Sequence, residues 1–354
     1  MDYYKTLLVK FTFTVITLVV MIVSFNFMVD SYHIFRENPK DSIVYDLKNG
    51  NYVSSKTITS NRIDNIYDKL LFLYKNVKID LLAIGSSRTL PLHKELIISD
   101  QNIQYLNFTT GTARLSQLAE MVGLFKKHSI KLPKNIIIGL DPWIFDEKIP
   151  LSKVKSLLNL RATQITKNYN QLFNYEYTKI NFESMFADNS YIKSKNISDI
   201  RKKSKNNMIM SPFGDLYYPE SQENVDLKII QKRILDHINR CKANNFNTRC
   251  VDYATLNNIK EFVFFINYLK SNGSNVIIFL APISPTFYAH ILNNNNFKDH
   301  YKNILNTLKD LKVTVIGDYN PATFNLNDED FMDSFHPKTK VIKQIFKTKK
   351  LISH

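Results

Sequence analysis

Apolar positions fall into three regimes along this chain, and each predicts a different kind of element. The first is Phe11 to Val29, 19 residues without a charge. As a helix this run is about 28 Å long, close to the hydrocarbon thickness of a bilayer. It has no polar face, which a helix packed on the core of a soluble protein with one side in water would show, and it is long enough to span a bilayer. It leaves through Phe25-Asn26-Phe27-Met28-Val29-Asp30 with no small-residue cleavage site, so it reads as an uncleaved transmembrane signal anchor rather than a signal peptide. The second regime, residues 30–78, is polar and irregular until a helical pattern from Arg62 to Asn76. The third begins at Ile79, where short runs rich in Ile, Val and Leu recur: Ile79–Ile84, Ile103–Phe108, Asn135–Leu140, Asn275–Leu280 and Lys312–Ile316. Each is bounded by turn residues, and amphipathic stretches lie between them (Leu115–His128, Leu256–Ser271, Tyr301–Leu311). A last helix is predicted over Lys338–Lys349, with Pro337 suited to its first position.

Strands that are apolar on both faces and alternate with helices predict an α/β fold, a parallel sheet covered on both sides. Five such strands suit a flavodoxin-like, doubly wound order. One long stretch breaks the alternation. Residues 148–249 are rich in Asn, Lys, Ser and Tyr and contain no convincing strand, so they read as a mostly helical insertion between the third and fourth strands. The predicted organisation is a tail (1–10), an anchor (11–29), a juxtamembrane segment (30–78), a first α/β part (79–147), the insertion (148–249) and a second α/β part (250–354).

Charge sharpens this picture. The chain carries a formal +15, which attracts anionic partners: nucleic acid, acidic headgroups or an anionic envelope polymer. The insertion holds 18 Lys and Arg against 9 Asp and Glu, a net +9 of that total. Its most basic point, Arg201-Lys202-Lys203-Ser204-Lys205, is by itself a solvated loop; Tyr169, Tyr175, Tyr177, Tyr191, Tyr217 and Tyr218 add aromatic faces suited to an anionic sugar polymer or to a core. The Asn293–Asn296 stretch reads as a polar loop tip. Lys5 and Lys10 before the anchor favour a cytoplasmic N-terminus. Cys241 and Cys250 form a short disulfide loop in an oxidising compartment or remain two thiols. The large domain is therefore expected outside the cytoplasmic membrane, with no nucleic-acid partner. Scattered histidines, the lack of a Cys-x-x-Cys spacing and only eight glycines give no support for a metal or another cofactor.

The candidate chemistry sits at two places. Gly85-Ser86-Ser87-Arg88 follows the first apolar run, where a turn at the carboxyl edge of a parallel sheet exposes a side chain on a rigid support. Asp333-Ser334-Phe335-His336-Pro337 lies just before the last helix. A serine on such a turn, with a histidine and an aspartate three residues apart, is the residue set of nucleophilic acyl transfer. Ser87 is the candidate nucleophile, with Ser86 as the alternative; His336 is the candidate base and Asp333 its orienting carboxylate. Arg88 either binds an anionic substrate group or caps the strand end. Trp143 either stacks on a sugar or anchors the core.

These motifs resemble those of the SGNH/GDSL hydrolase superfamily over about residues 79–147 and 250–354. Gly85-Ser86-Ser87 is similar to its Gly-Asp-Ser block, and Asp333 with His336 to its Asp-x-x-His block. The resemblance implies that Gly111, in Asn107-Phe108-Thr109-Thr110-Gly111, supplies an oxyanion N–H together with that of Ser87. The family's Gly-x-Asn-Asp block is matched by Gly139-Leu140-Asp141-Pro142, so Asp141 stands where an asparagine donor is expected. An ionised carboxylate repels an oxyanion. Either Asp141 is protonated, or it points elsewhere, or the N–H groups act alone; alternatively the Asp141-Pro142-Trp143 turn is a substrate wall, with Asp141 and Trp143 contacting substrate. An anchor followed by such a domain is similar in plan to teichoic-acid D-alanyl transfer proteins and alginate-type O-acetyltransferases. The resemblance implies a serine acyltransferase or esterase on an envelope glycan, working beside a polytopic membrane acyltransferase. A catalytically silent glycan-binding or scaffolding module is the alternative, and Asp141 is the feature that favours it.

Overall fold

The computed structural model describes residues 2–29, 42–54, 60–160, 172–186, 192–243 and 258–347, apart from positions 99, 101, 112, 146, 205, 206 and 294. Tyr169, Tyr191, Lys205, Cys250 and the first part of the juxtamembrane segment lie outside them. Five strands form the central sheet: β1 Leu81–Gly85, β2 Tyr105–Thr109, β3 Asn135–Gly139, β4 Asn275–Leu280 and β5 Thr314–Gly317. All pairings are parallel and the order is 2-1-3-4-5, the doubly wound arrangement expected from the recurring apolar runs. The principal helices are α1 Asp2–Val29, α2 Ser60–Leu73, α3 Leu115–Lys127, α4 Tyr175–Phe186, α5 Leu227–Lys242, α6 Ile259–Ser271, α7 Asn295–Asp310 and α8 Thr339–Lys347.

The strands are apolar throughout because both faces of the sheet are covered. Leu82, Ile84, Ile136, Ile138, Val276 and Ile278 join one core with residues of α3, α6 and α7. Leu81, Ala83, Ile137, Ile277 and Phe279 face the other side, against Val341, Ile342, Ile345 and Phe346 of α8. The apolar period of two thus splits between two helical layers.

Five elements differ from the sequence expectation. Residues 42–48, read as irregular, form the helix Ser42–Lys48, and residues 201–204, read as a solvated loop, belong to the helix Ile197–Ser204. The insertion is mostly helical but contributes strands Ile192–Ser194, Ile209–Met210 and Leu216–Tyr217, which join Tyr52–Ser54 in a small antiparallel sheet. Those segments are two or three residues long, too short to show a period. Asn295 begins α7 rather than lying in a loop tip. Pro337 does not open the last helix: it bridges Phe331, closing the 331–337 loop on itself, and α8 starts at Thr339.

Helix α1 is long and apolar enough to cross a membrane, and none of its apolar window is buried within the protein. Cys241 is engaged in a disulfide; Cys250 is the chain's other cysteine.

Candidate active site

The parallel register sets the site. Gly85 at the end of β1 pairs with Thr109 at the end of β2, and the Thr110 N–H donates to the Gly85 carbonyl at 3.0 Å. Two residues beyond each partner stand Ser87 and Gly111, so both lie just past the carboxyl edge. Gly85 and Gly139 must be glycines here: a Cβ on either would collide with Thr89, whose side chain sits over both strand ends as the turn folds back. The Thr89 N–H bonds the Ser86 carbonyl at 2.8 Å and closes that turn.

The structure brings Ser87, His336 and Asp333 together across 249 residues of sequence. Ser87 Oγ is 2.8 Å from His336 Nε2. His336 Nδ1 lies 2.8 Å from Asp333 Oδ2 and 2.9 Å from Oδ1. Asp333 Oδ1 also accepts the backbone N–H groups of Phe335 (2.8 Å) and His336 (3.0 Å). Burial opposes the charge on Asp333, but the His336 charge, its hydrogen bond and the two N–H groups outweigh it and hold the carboxyl well below the usual range. Asp333 is therefore an acceptor across the physiological range, which leaves the Nδ1 proton on His336 facing it and Nε2 free to accept from Ser87. Ser87 and His336 are both partly exposed, so a ligand can reach them. Neither the Ser87 nor the Gly111 backbone N–H has an intramolecular acceptor among the described residues.

Arg88 and Asp141 are placed otherwise than a substrate contact would be. Arg88 is 1% exposed. Its Nε donates to the Phe335 carbonyl (3.0 Å), Nη1 to Asp141 Oδ1 (2.8 Å), and Nη2 to the carbonyls of Pro282 (3.0 Å) and Ala281. Four of the five guanidinium N–H groups are thus spent inside the protein. The rings of Trp143, Tyr319 and Phe335 surround it at 5.6–5.8 Å. Asp141 receives Arg88 on one oxygen and the Ser86 hydroxyl on the other. Of the alternatives for this aspartate, the geometry gives the one in which it points elsewhere: its carboxylate is occupied by Arg88 and Ser86. The same bond makes Ser86 a support of the turn and leaves Ser87 as the serine facing His336. Trp143 is 7% exposed and packs edge-to-face on Phe335, with ring centres 5.0 Å apart, so its faces are taken by protein rather than offered to a sugar.

The insertion supplies a wall that the sequence motifs did not reveal. The tight loop Ser211–Asp215 docks on β2, where the Asn107 N–H donates to the Phe213 carbonyl at 2.7 Å. Tyr67 donates to the Thr109 and Gly214 carbonyls at 2.9 and 3.2 Å. Gly214 has φ +84 and sits against the Asn107 carbonyl, so a side chain there is excluded twice over. This docking carries Tyr218 to the serine turn, where its hydroxyl donates to the Ser87 carbonyl at 2.9 Å and its ring meets that of His336 edge-on. Arg233 of α5 donates to the Met332 carbonyl (2.9 Å), and Glu223 accepts from the Thr339 N–H and hydroxyl. The insertion therefore grips both the serine turn and the histidine loop.

Asp215 is fully buried in that docking loop, and burial, then Glu95, push its carboxyl up to about 8 despite a hydrogen bond from the Ser211 hydroxyl. The folded protein then holds a proton that the unfolded chain lacks between the ordinary carboxylate range and about pH 8. Stability contributed by this group falls as pH rises through that window. Asp215→Asn, neutral at every pH, is expected to become progressively more stable than the natural chain between pH 5 and 8, read as the difference in urea midpoint. A constant difference would mean that Asp215 is ionised throughout.

No known protein family matches the chain, and no curated protein matches it in sequence.

Proposed function

We propose that the protein is a membrane-anchored serine acyltransferase or esterase of the SGNH/GDSL kind, acting outside the cytoplasmic membrane on a cell-envelope glycan or anionic polymer. The observation that carries the reading is the continuous Ser87–His336–Asp333 hydrogen-bonded chain at the carboxyl edge of a parallel sheet. In the first half-reaction Ser87 Oγ attacks the carbonyl carbon of an acyl donor while His336 Nε2 takes the hydroxyl proton. The oxyanion is held by the N–H groups of Ser87 and Gly111. Collapse expels the donor's alcohol or thiol with the proton from His336 and leaves acyl-Ser87. In the second, His336 removes a proton from a glycan hydroxyl or from water, which attacks the acyl carbon and restores Ser87.

The disulfide at Cys241 supports an oxidising compartment, and the one helix among the described residues that is long and apolar enough to cross a membrane supports an anchored protein. The net +9 of residues 148–249 supports an anionic acceptor, and exposed Lys202 and Lys203 on the helix Ile197–Ser204 are part of that field. The one span among the described residues gives no route for an activated acyl group across the membrane, so a polytopic acyltransferase is the expected donor-side partner. The silent-module reading draws on Asp141 as a charge facing the oxyanion, and a carboxylate engaged by Arg88 and Ser86 favours the acyl-transfer reading over it.

The test is covalent labelling of the full-length, detergent-solubilised chain with a fluorophosphonate probe. Wild type is expected to take one label and Ser87→Ala none. Equal labelling of the two, or a folded wild type that takes no label, would overturn the serine mechanism; the second result is what a silent module gives.

A further inference from the structure

The apolar helix does not meet the rest of the protein through apolar packing alone. Asn26, 0% exposed, lies three residues before the end of α1. Its amide donates to the Leu172 carbonyl and to the Thr178 hydroxyl, both at 2.8 Å. Asn181 in turn donates to Asn26 Oδ1 at 3.0 Å. An amide inside an apolar helix is costly unless partnered, and here α4 and Leu172, three residues before its start, supply the partners. The bonds fix α4 against the last turn of α1.

That attachment sets a depth. A hydrocarbon layer of about 30 Å takes roughly 20 helical residues, so the uncharged run ending at Val29 uses nearly all of it. Asn26 lies roughly 5 Å below the end of the helix at 1.5 Å per residue, and the groups bonded to it share that level. Around them, Phe173 is 64% exposed, Tyr175 76% and Phe182 58%. Leu172 and Tyr177 point inward, while Glu176 and Lys179 are exposed. Three exposed rings within ten residues, beside polar side chains and at the end of an apolar helix, match the composition of a bilayer interface, where aromatic rings collect.

We propose that Leu172–Phe182 lies in the lipid headgroup region beside α1, with Phe173, Tyr175 and Phe182 entering the bilayer surface. The occupant of this surface is lipid. The inference rests on the membrane-anchor reading of α1. It adds that the catalytic domain is held to the membrane at two places, with Asn26 as the joint, so that the insertion and the serine turn it grips keep a fixed attitude to the bilayer.

The experiment uses the full chain in vesicles of phosphatidylcholine and phosphatidylglycerol, with no other protein. Phe182→Trp and Tyr175→Trp each place a reporter at an exposed position, and Val19→Trp, 41% exposed in the middle of α1, reports on the anchor. Native Trp143 sets the background, measured on the unsubstituted chain. Both interfacial reporters are expected to lose emission more to lipid brominated near the headgroup than to lipid brominated deep in the chain, and Val19→Trp the reverse. Adding Asn26→Leu to Phe182→Trp is expected to lower the shallow quenching and raise quenching by aqueous acrylamide. If Val19→Trp responds to deep bromines while both interfacial reporters respond only to acrylamide, the surface is not a lipid contact and the anchor stands. The surface would then await a protein partner. If Val19→Trp fails to respond, the anchor reading falls and this inference with it.

Discussion

Asp333→Asn is expected to slow acylation of Ser87 by about 10⁴-fold while leaving the fold intact. Asn keeps an oxygen where Asp333 Oδ1 accepts the Phe335 and His336 backbone N–H groups, so the loop retains its closure. The amide nitrogen takes the place of Oδ2 and presents N–H groups to His336 Nδ1, which sits 2.8 Å away. The retained oxygen, 2.9 Å from Nδ1, is already filled by the two backbone N–H groups. The imidazole is therefore expected to accept from the amide at Nδ1 and carry its proton on Nε2, the atom that must accept from Ser87. The variant is a correctly built site with the wrong tautomer. The measurement is the second-order rate of fluorophosphonate labelling, with thermal denaturation as the control for folding. A rate within tenfold of wild type would mean that Asp333 does not set the tautomer and that the triad assignment is wrong.

The fold was legible because burial on both faces removes the ambiguity of short apolar runs. All five central strands fall within about two residues of the runs that predicted them, and Asn275–Leu280 coincides with β4. The small antiparallel sheet was not legible. Its strands are two or three residues long, and Tyr52 pairs with Ser194 from the far side of the first α/β part, so no local period records the pairing.

The site was legible where its geometry is carried by the backbone. A turn at a strand end places Ser87, and a loop closed by Asp333 on its own N–H groups places His336, both within a few residues. Long-range pairing was not legible. Arg88 and Asp141 meet because β1 and β3 are neighbours in the sheet, and a basic residue read without that knowledge looks like a hook for an anion. Tyr218 was one tyrosine among six in the insertion, and only the docking of Ser211–Asp215 on β2 distinguishes it. The residues of the candidate triad were easier to find than the residues that hold them in place.

Arg88 carries the second large expectation, and it concerns stability. Arg88 and Asp141 have side chains 1% and 3% exposed, so Arg88→Ala leaves a buried carboxylate facing only the Ser86 hydroxyl. Three backbone carbonyls, those of Phe335, Ala281 and Pro282, lose their donor as well. Removing one partner of a buried pair costs about 3–5 kcal/mol, and a vacated space among Trp143, Tyr319 and Phe335 adds to it. The loss should appear in the urea midpoint and in labelling together, because Arg88 joins the serine turn to the Phe335 carbonyl, one residue from His336. The double variant Arg88→Met with Asp141→Leu removes both charges and is expected to recover part of the stability but not the labelling rate, since the tie between the serine turn and the histidine loop is gone. A substrate-binding arginine behaves differently: Arg88→Ala would keep the midpoint and raise KM for an anionic substrate alone. Observing that pattern would place Arg88 in the substrate pocket and displace the structural role that its burial and four hydrogen bonds assign to it.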